Sequence, residues 1–275
     1  MYTSPNKQNS DKPVTTATLA KMKRDGEKFA CLTAYDASFA AMLDTSGVEV
    51  VLVGDSLGMV IQGHPTTVPV TVDDVIYHGK AVARGLSRAM LMLDMPFMSY
   101  ATPDAALANA ARMMQEAGAQ VVKLEGHINQ LPVVEYLAGN GVPVCAHLGL
   151  RPQSVHKLGG FKVQGREADA ADEMLADATA LAKAGADILL LECVPNALAK
   201  RITAAVDVPV IGIGAGPDTD GQILVLYDIL DITPGRKPKF AKNYMPGANS
   251  PSDAVSRYVA EVKSGDYPAA EHCFE

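Results

Sequence analysis

The stretch that decides the fold is Val48-Glu-Val-Val-Leu-Val-Gly-Asp-Ser-Leu-Gly58, an almost wholly apolar run that ends in Gly54, Asp55 and Ser56. Runs of Val and Leu like this read as strands buried on both faces, as in a parallel sheet. A carboxylate at the exit of such a strand is costly unless something pairs with it. Asp55 is therefore expected at the rim of a barrel, holding a metal. The pattern recurs in Glu116-Ala-Gly-Ala-Gln-Val-Val-Lys-Leu-Glu125 and in Lys183-Ala-Gly-Ala-Asp-Ile-Leu-Leu-Leu-Glu192. Each copy is a helix-stopping glycine, then a buried strand, then an acid at its end.

Working outward, further strands are expected from Phe29 to Asp36, Ala89 to Phe97, Ala119 to Gly126, Val142 to Gly149, Asp187 to Val194, Val208 to Gly216 and Gln222 to Asp228. Helical stretches lie between them. Thr102-Pro103-Asp104 is a strong helix start, with proline at the first helical position. Repeated βα units give an α/β fold with parallel strands. Eight strands in about 250 residues fit a single-domain (β/α)8 TIM barrel. We assign it to residues 15–275, with a C-terminal helix and tail, and treat residues 1–14 as a flexible N-terminal tail. An open doubly wound sheet is the alternative, but no Gly-x-Gly-x-x-Gly follows the first strand. Two long connections stand out. Leu57 to Val70 reads as a lid or a small hairpin pairing Val60-Ile61-Gln62 with Val68-Pro69-Val70. Arg151 to Arg166 is glycine-rich and basic.

The net charge of −7 argues against nucleic acid or anionic membrane as the main partner. No apolar run approaches the roughly 20 residues of a membrane span. Met1 to Pro13 is polar and shows no secretory signal. Cys31, Cys145, Cys193 and Cys273 lack metal spacing and read as reduced thiols, so a cytoplasmic location is expected.

Asp36, Asp55, Ser56, Asp94, Glu125, His147 and Glu192 all fall at or near C-terminal strand ends. In a barrel those ends converge on one mouth, where active sites sit. Asp55, Asp94 and Glu125 offer hard oxygen ligands without clustered His or Cys, which favours Mg²⁺. Lys123 shares a strand face with Glu125, and either binds a substrate carboxylate or makes a structural ion pair. Ser56 could donate to a substrate oxygen. His147 is either a substrate contact or a core histidine. Glu192 leaves a long apolar strand, where desolvation would raise its pKa and suit a general base, or it is a fourth ligand. Gly212-x-Gly-x-Gly216 is either an anion cradle or tight packing. His64, His78, His127 and His156 read as surface or loop residues.

The blocks Leu32-Thr-Ala-Tyr-Asp36, Leu52-Val-Gly-Asp-Ser-Leu-Gly58, Ala146-His-Leu-Gly-Leu150, Leu191-Glu-Cys-Val-Pro195 and Ile211-Gly-Ile-Gly-Ala-Gly216 resemble the 3-methyl-2-oxobutanoate (ketopantoate) hydroxymethyltransferase family. The resemblance runs in order from about Thr15 to Phe274. It implies a barrel of the phosphoenolpyruvate/pyruvate superfamily that moves a one-carbon unit from 5,10-methylenetetrahydrofolate to a branched 2-oxo acid in pantothenate biosynthesis. It implies one Mg²⁺ per subunit on Asp55, Asp94 and Glu125. Asp55, Ser56, Asp94, Lys123 and His147 would meet the oxo acid, and Glu192 would accept the proton. It also implies a homo-oligomer, with the decamer as the family form. The basic residues Arg151, His156, Lys157, Lys162 and Arg166 could attract the acidic tail of folate, or simply face solvent. The remaining alternatives are another Mg²⁺-dependent lyase or aldolase of 2-oxo acids, and a catalytically silent ligand-binding barrel.

Overall fold

Side-chain parity along eight strands builds two cores. In a computed structural model, which describes residues 12–235 and 237–275, the strands are β1 (Phe29–Thr33), β2 (Val50–Val53), β3 (Met90–Asp94), β4 (Val121–Glu125), β5 (Val144–Gly149), β6 (Ile188–Glu192), β7 (Val210–Ile213) and β8 (Gly221–Leu224). All pair in parallel and in chain order, and β8 closes onto β1. The protein is a single-domain (β/α)8 TIM barrel.

Alternate residues point to opposite faces. Phe29, Cys31, Val50, Leu52, Met90, Met92, Val121, Cys145, Ile188, Leu190, Ile211 and Ile223 fill the barrel interior. Their neighbours, including Leu32, Val51, Leu91, Val122, Leu148 and Leu189, pack outward with the helices.

The helices are α1 (Thr16–Asp25), α2 (Ala37–Thr45), α3 (Leu57–Val60), α4 (Val72–Gly85), α5 (Pro103–Ala117), α6 (Leu131–Gly139), α7 (Val155–Leu158), α8 (Ala168–Lys183), α9 (Asn196–Ala205), α10 (Leu226–Ile229) and α11 (Pro251–Ser264). The start of α5 follows the expectation: Thr102 caps it and Pro103 opens it. Leu19 of α1 and Val14 before it join the inner cluster, so α1 covers the N-terminal end of the barrel. The expected tail falls mostly outside the described residues, but Val14 is buried and its N–H donates to the Arg88 carbonyl. At the other end of the chain, α11 is tied to β1. Its buried Tyr258 hydroxyl donates to the Cys31 carbonyl at 3.0 Å and the Gln222 carbonyl at 2.8 Å.

Two expectations need correction. The eighth strand stops at Leu224, and Leu226–Ile229 turns helical, its first N–H donating to Thr33 Oγ1 at 3.1 Å. No hairpin forms over residues 57–70. Leu57–Val60 is a short helix whose Leu57 is buried, and Gly58 lies so close to Val70 that a Cβ there would sit 2.6 Å from its side chain. All four cysteines are free and buried.

Candidate active site

The inner-facing positions continue upward from the apolar layer into a polar one. Two residues beyond Met92 comes Asp94, and beyond Val121 come Lys123 and Glu125. Beyond Cys145 is His147, and beyond Leu190 is Glu192. The register places Asp94 opposite Lys123, and Glu125 opposite His147. Asp55 joins them from the turn after β2, where its N–H donates to Asp94 Oδ2 at 3.3 Å. Asp55, Asp94, Lys123, Glu125 and His147 are all at most 4% exposed.

Lys123 Nζ donates to both oxygens of Asp94 at 2.8 Å. This is the ion pair to a neighbouring Asp, one of the two readings open for this lysine. One ammonium thus faces four carboxylates, and the acids carry the consequence. Burial, then repulsion by Asp94, pushes Asp55 up to about 7. Burial raises Glu192 to about 8 despite the attraction of Lys123. Glu125 is also raised well above its ordinary value, chiefly by burial. Burial would lower Lys123, but Asp94, Glu125 and Asp55 together outweigh it and hold the ammonium charged. Burial drives His147 the other way, helped by Lys123 and Arg151, so its imidazole is neutral. Its Nδ1 lies 3.7 Å from Glu125 Oε1 and its Nε2 lies 3.4 Å from Glu192 Oε2.

Ser56 sits beside the cluster, with its Oγ 2.8 Å from the Tyr35 hydroxyl. Asp36 does not join. It caps α2, accepting from the N–H groups of Ser38 and Phe39 at 2.8 and 2.9 Å. The glycine run that ends β7 is closely packed. A Cβ at Gly212 would meet the Thr219 side chain at 2.6 Å, and one at Gly216 would meet Asn196 at 2.4 Å. His156, Lys157, Lys162 and Arg166 of the basic loop are exposed, whereas Arg151 is half-buried. His64 and His156 are exposed as expected, but His78 and His127 are half-buried. His78 Nδ1 lies 2.7 Å from the Tyr35 carbonyl oxygen, and His127 Nδ1 lies 3.2 Å from Asp177 Oδ2.

Two residues absent from the sequence reading are central. Gln153, 4% exposed, lies in the turn after β5 and touches Asp55, Met95, Glu125 and Tyr100. Tyr100 follows β3, and its hydroxyl accepts from the Glu125 N–H at 3.3 Å. A polar residue immediately after Pro152 in a strand-exit loop was the only available signal.

Among the described residues, no three His, Cys, Asp or Glu side chains stand in ready metal-binding geometry. The donor set nevertheless fits a hard divalent cation. Asp55, Asp94 and Glu125 converge, they outnumber the local positive charge, and Glu125 Oε1 is buried without a hydrogen-bond partner.

A family model described as ketopantoate hydroxymethyltransferase matches residues 13–270. The 3-methyl-2-oxobutanoate hydroxymethyltransferase of Alkalilimnicola ehrlichii is 60% identical over 274 residues, covering 100% of this chain and 99% of that one. Its namesake from Shewanella loihica is 57% identical over 261 residues, covering 95% and 98%. Among solved structures, phosphoenolpyruvate phosphomutase from Streptomyces platensis subsp. rosaceus superposes with a TM-score of 0.59 at 13% identity, covering 79% of this chain and 83% of that one. That likeness is one of fold. No helix among the described residues is long and apolar enough to cross a membrane.

Proposed function

Because this chain belongs to the ketopantoate hydroxymethyltransferase family, we propose that it transfers a hydroxymethyl unit from 5,10-methylenetetrahydrofolate to 3-methyl-2-oxobutanoate, giving 2-dehydropantoate for pantothenate biosynthesis. Membership makes the protein a one-carbon transferase. The observation that carries the mechanistic reading is the mouth itself: the buried carboxylates of Asp55, Asp94 and Glu125 and the half-buried one of Glu192 share one lysine, and Glu192 stands outside that lysine's ion pair.

Asp55, Asp94 and Glu125 would hold one Mg²⁺ per subunit through carboxylate oxygens. Bound there, Mg²⁺ would supply Lewis-acid polarisation of the 2-oxo group. Lys123 keeps a fixed positive charge beside the oxo acid, placed where negative charge grows as C3 loses its proton. Ser56 donates its hydroxyl proton toward a substrate oxygen. Glu192 takes the C3 proton, and a carboxyl raised to about 8 is matched to that task near neutral pH. Neutral His147, with Nε2 3.4 Å from Glu192 Oε2, borders the base without competing for the proton. Water hydrolyses the folate-borne methylene to formaldehyde, breaking its bonds to both folate nitrogens, releasing tetrahydrofolate and supplying the oxygen. The carbanion at C3 then adds to the formaldehyde carbon, and protonation of the resulting alkoxide gives the hydroxymethyl group.

The test is proton exchange at C3. The protein is expected to exchange the C3 hydrogen of 3-methyl-2-oxobutanoate for deuterium in a Mg²⁺-dependent way, and Glu192→Gln is expected to lose it. Exchange by Glu192→Gln at the wild-type rate would remove the base assignment. The reading also makes the chain a cytoplasmic homo-oligomer, with a decamer as the expected form. Sedimentation of the purified protein as a monomer would overturn that.

A further inference from the structure

We propose that Gln153, with its polarity set by Tyr100, is the positioning residue that aims the carboxylates of Asp55 and Glu125 into the mouth. The inference rests on the metal reading given above and adds residues to it. The Glu125 backbone N–H can only donate, and it donates to the Tyr100 hydroxyl oxygen at 3.3 Å. The Tyr100 proton is then directed to Gln153 Oε1, 2.5 Å away. With its oxygen accepting there, the Gln153 amide must present Nε2 on its other side. Nε2 donates to Asp55 Oδ2 and to the Met95 carbonyl, each at 2.9 Å. The Gln153 backbone N–H completes the set by donating to Glu125 Oε2 at 3.1 Å.

One neutral residue therefore ties down one oxygen on each of two acids. It leaves Asp55 Oδ1 outside its hydrogen bonds, and Glu125 Oε1 is buried with no partner. A lysine in its place would neutralise a ligand, and a carboxylate would add repulsion. The side-chain amide orients Asp55 and fixes the turn whose backbone N–H orients Glu125, and both acids keep their charge. Gln153, itself in the turn after β5, also links the exits of β2, β3 and β4, because its partners come from those three. Residues that hold ligands in this way typically alter metal affinity about 10- to 100-fold when removed.

The experiment measures Mn²⁺ and Mg²⁺ binding by titration calorimetry on the full-length protein, alongside kcat and KM. Variants are Gln153→Ala, Tyr100→Phe, the double variant, and Asp55→Asn as the control for the metal reading. Thermal unfolding confirms that each is folded. Asp55→Asn is expected to abolish binding, and Gln153→Ala to weaken it about 10- to 100-fold. Tyr100→Phe removes only the oxygen that fixes the amide's direction. It is expected to weaken binding in the same sense but less, and the double variant to be no worse than Gln153→Ala, because the two act as one unit. Unchanged metal affinity in folded Gln153→Ala and Tyr100→Phe, with binding lost in Asp55→Asn, would overturn the proposal alone. Full binding by Asp55→Asn would overturn the metal reading beneath it. Additive losses in the double variant would refute the coupling between Tyr100 and Gln153.

Discussion

Replacing Glu192 by glutamine should remove the chemistry and stabilise the protein at the same time. Burial moves the Glu192 carboxyl from 4.5 to about 8. At about 1.4 kcal/mol per pH unit, that corresponds to at most about 4–5 kcal/mol. The sign follows from proton counting. Between the two values the folded chain holds a proton that the unfolded chain has released. Stability therefore falls as pH rises from 4.5 toward about 8 and levels off above it. Glutamine carries no such proton. Relaxation of the mouth and entry of water reduce the gain, so we expect about 1–3 kcal/mol in the metal-free protein. Urea unfolding in EDTA at one protein concentration, at pH 5, 7 and 9, checks it. Wild type and Glu192→Gln should have similar midpoints at pH 5 and diverge toward pH 9, with the variant the more stable. A gap independent of pH, or a variant less stable at pH 9, would refute the claim that Glu192 is held as a strained buried acid.

Lys123→Met removes the ammonium from among the buried acids and should cost about 3–5 kcal/mol near neutral pH. The loss should be smaller at pH 5, where Asp55, raised to about 7, is protonated; equal losses at both pH values would contradict the charge accounting. Gly149→Ala forces a side chain onto a residue at φ +91° and places its Cβ 2.2 Å from the Glu192 carbonyl oxygen. It should destabilise by about 1–3 kcal/mol and lower kcat more than it raises KM, because the displaced backbone carries the base. Charge reversal at exposed Lys157 and Lys162 should raise the folate KM at low salt and have little effect at high salt. An unchanged folate KM across salt would detach the basic loop from folate binding.

The barrel was legible because its strands are apolar on both faces, so glycine stops and terminal acids punctuate the chain. The mouth was legible for the same reason. Asp94, Lys123, His147 and Glu192 continue the inward parity of Met92, Val121, Cys145 and Leu190 by one step each, and Glu125 by two. Asp55 needed only its place after β2. The failures have a different cause. Leu224-Val-Leu-Tyr-Asp228 is as apolar as a strand, and a local pattern cannot tell that a distant Thr33 hydroxyl turns the chain helical at Leu226. Asp36 has the position of a mouth acid, yet the adjacent N–H groups of α2 claim it. Gln153 is neutral, lies in a loop and acts through Tyr100, 53 residues away, so neither charge nor period marks it.

Partner assignment supports the proposed division of work among four similar acids. One ammonium cannot serve them all, and Asp94 takes it with both oxygens. Asp55 and Glu125 are instead held by the neutral donors of Gln153. Each of these three acids has a fixed partner, which suits a ligand whose direction must not change. The side-chain group placed against Glu192 is the uncharged imidazole of His147, at 3.4 Å. A carboxyl without a fixed donor has less to lose when it gains or gives up a proton, and burial has already moved it to about 8. On the proposed reading, the distribution of hydrogen-bond partners, more than the identity of the side chains, separates the acids that would hold a metal from the acid that would exchange a proton.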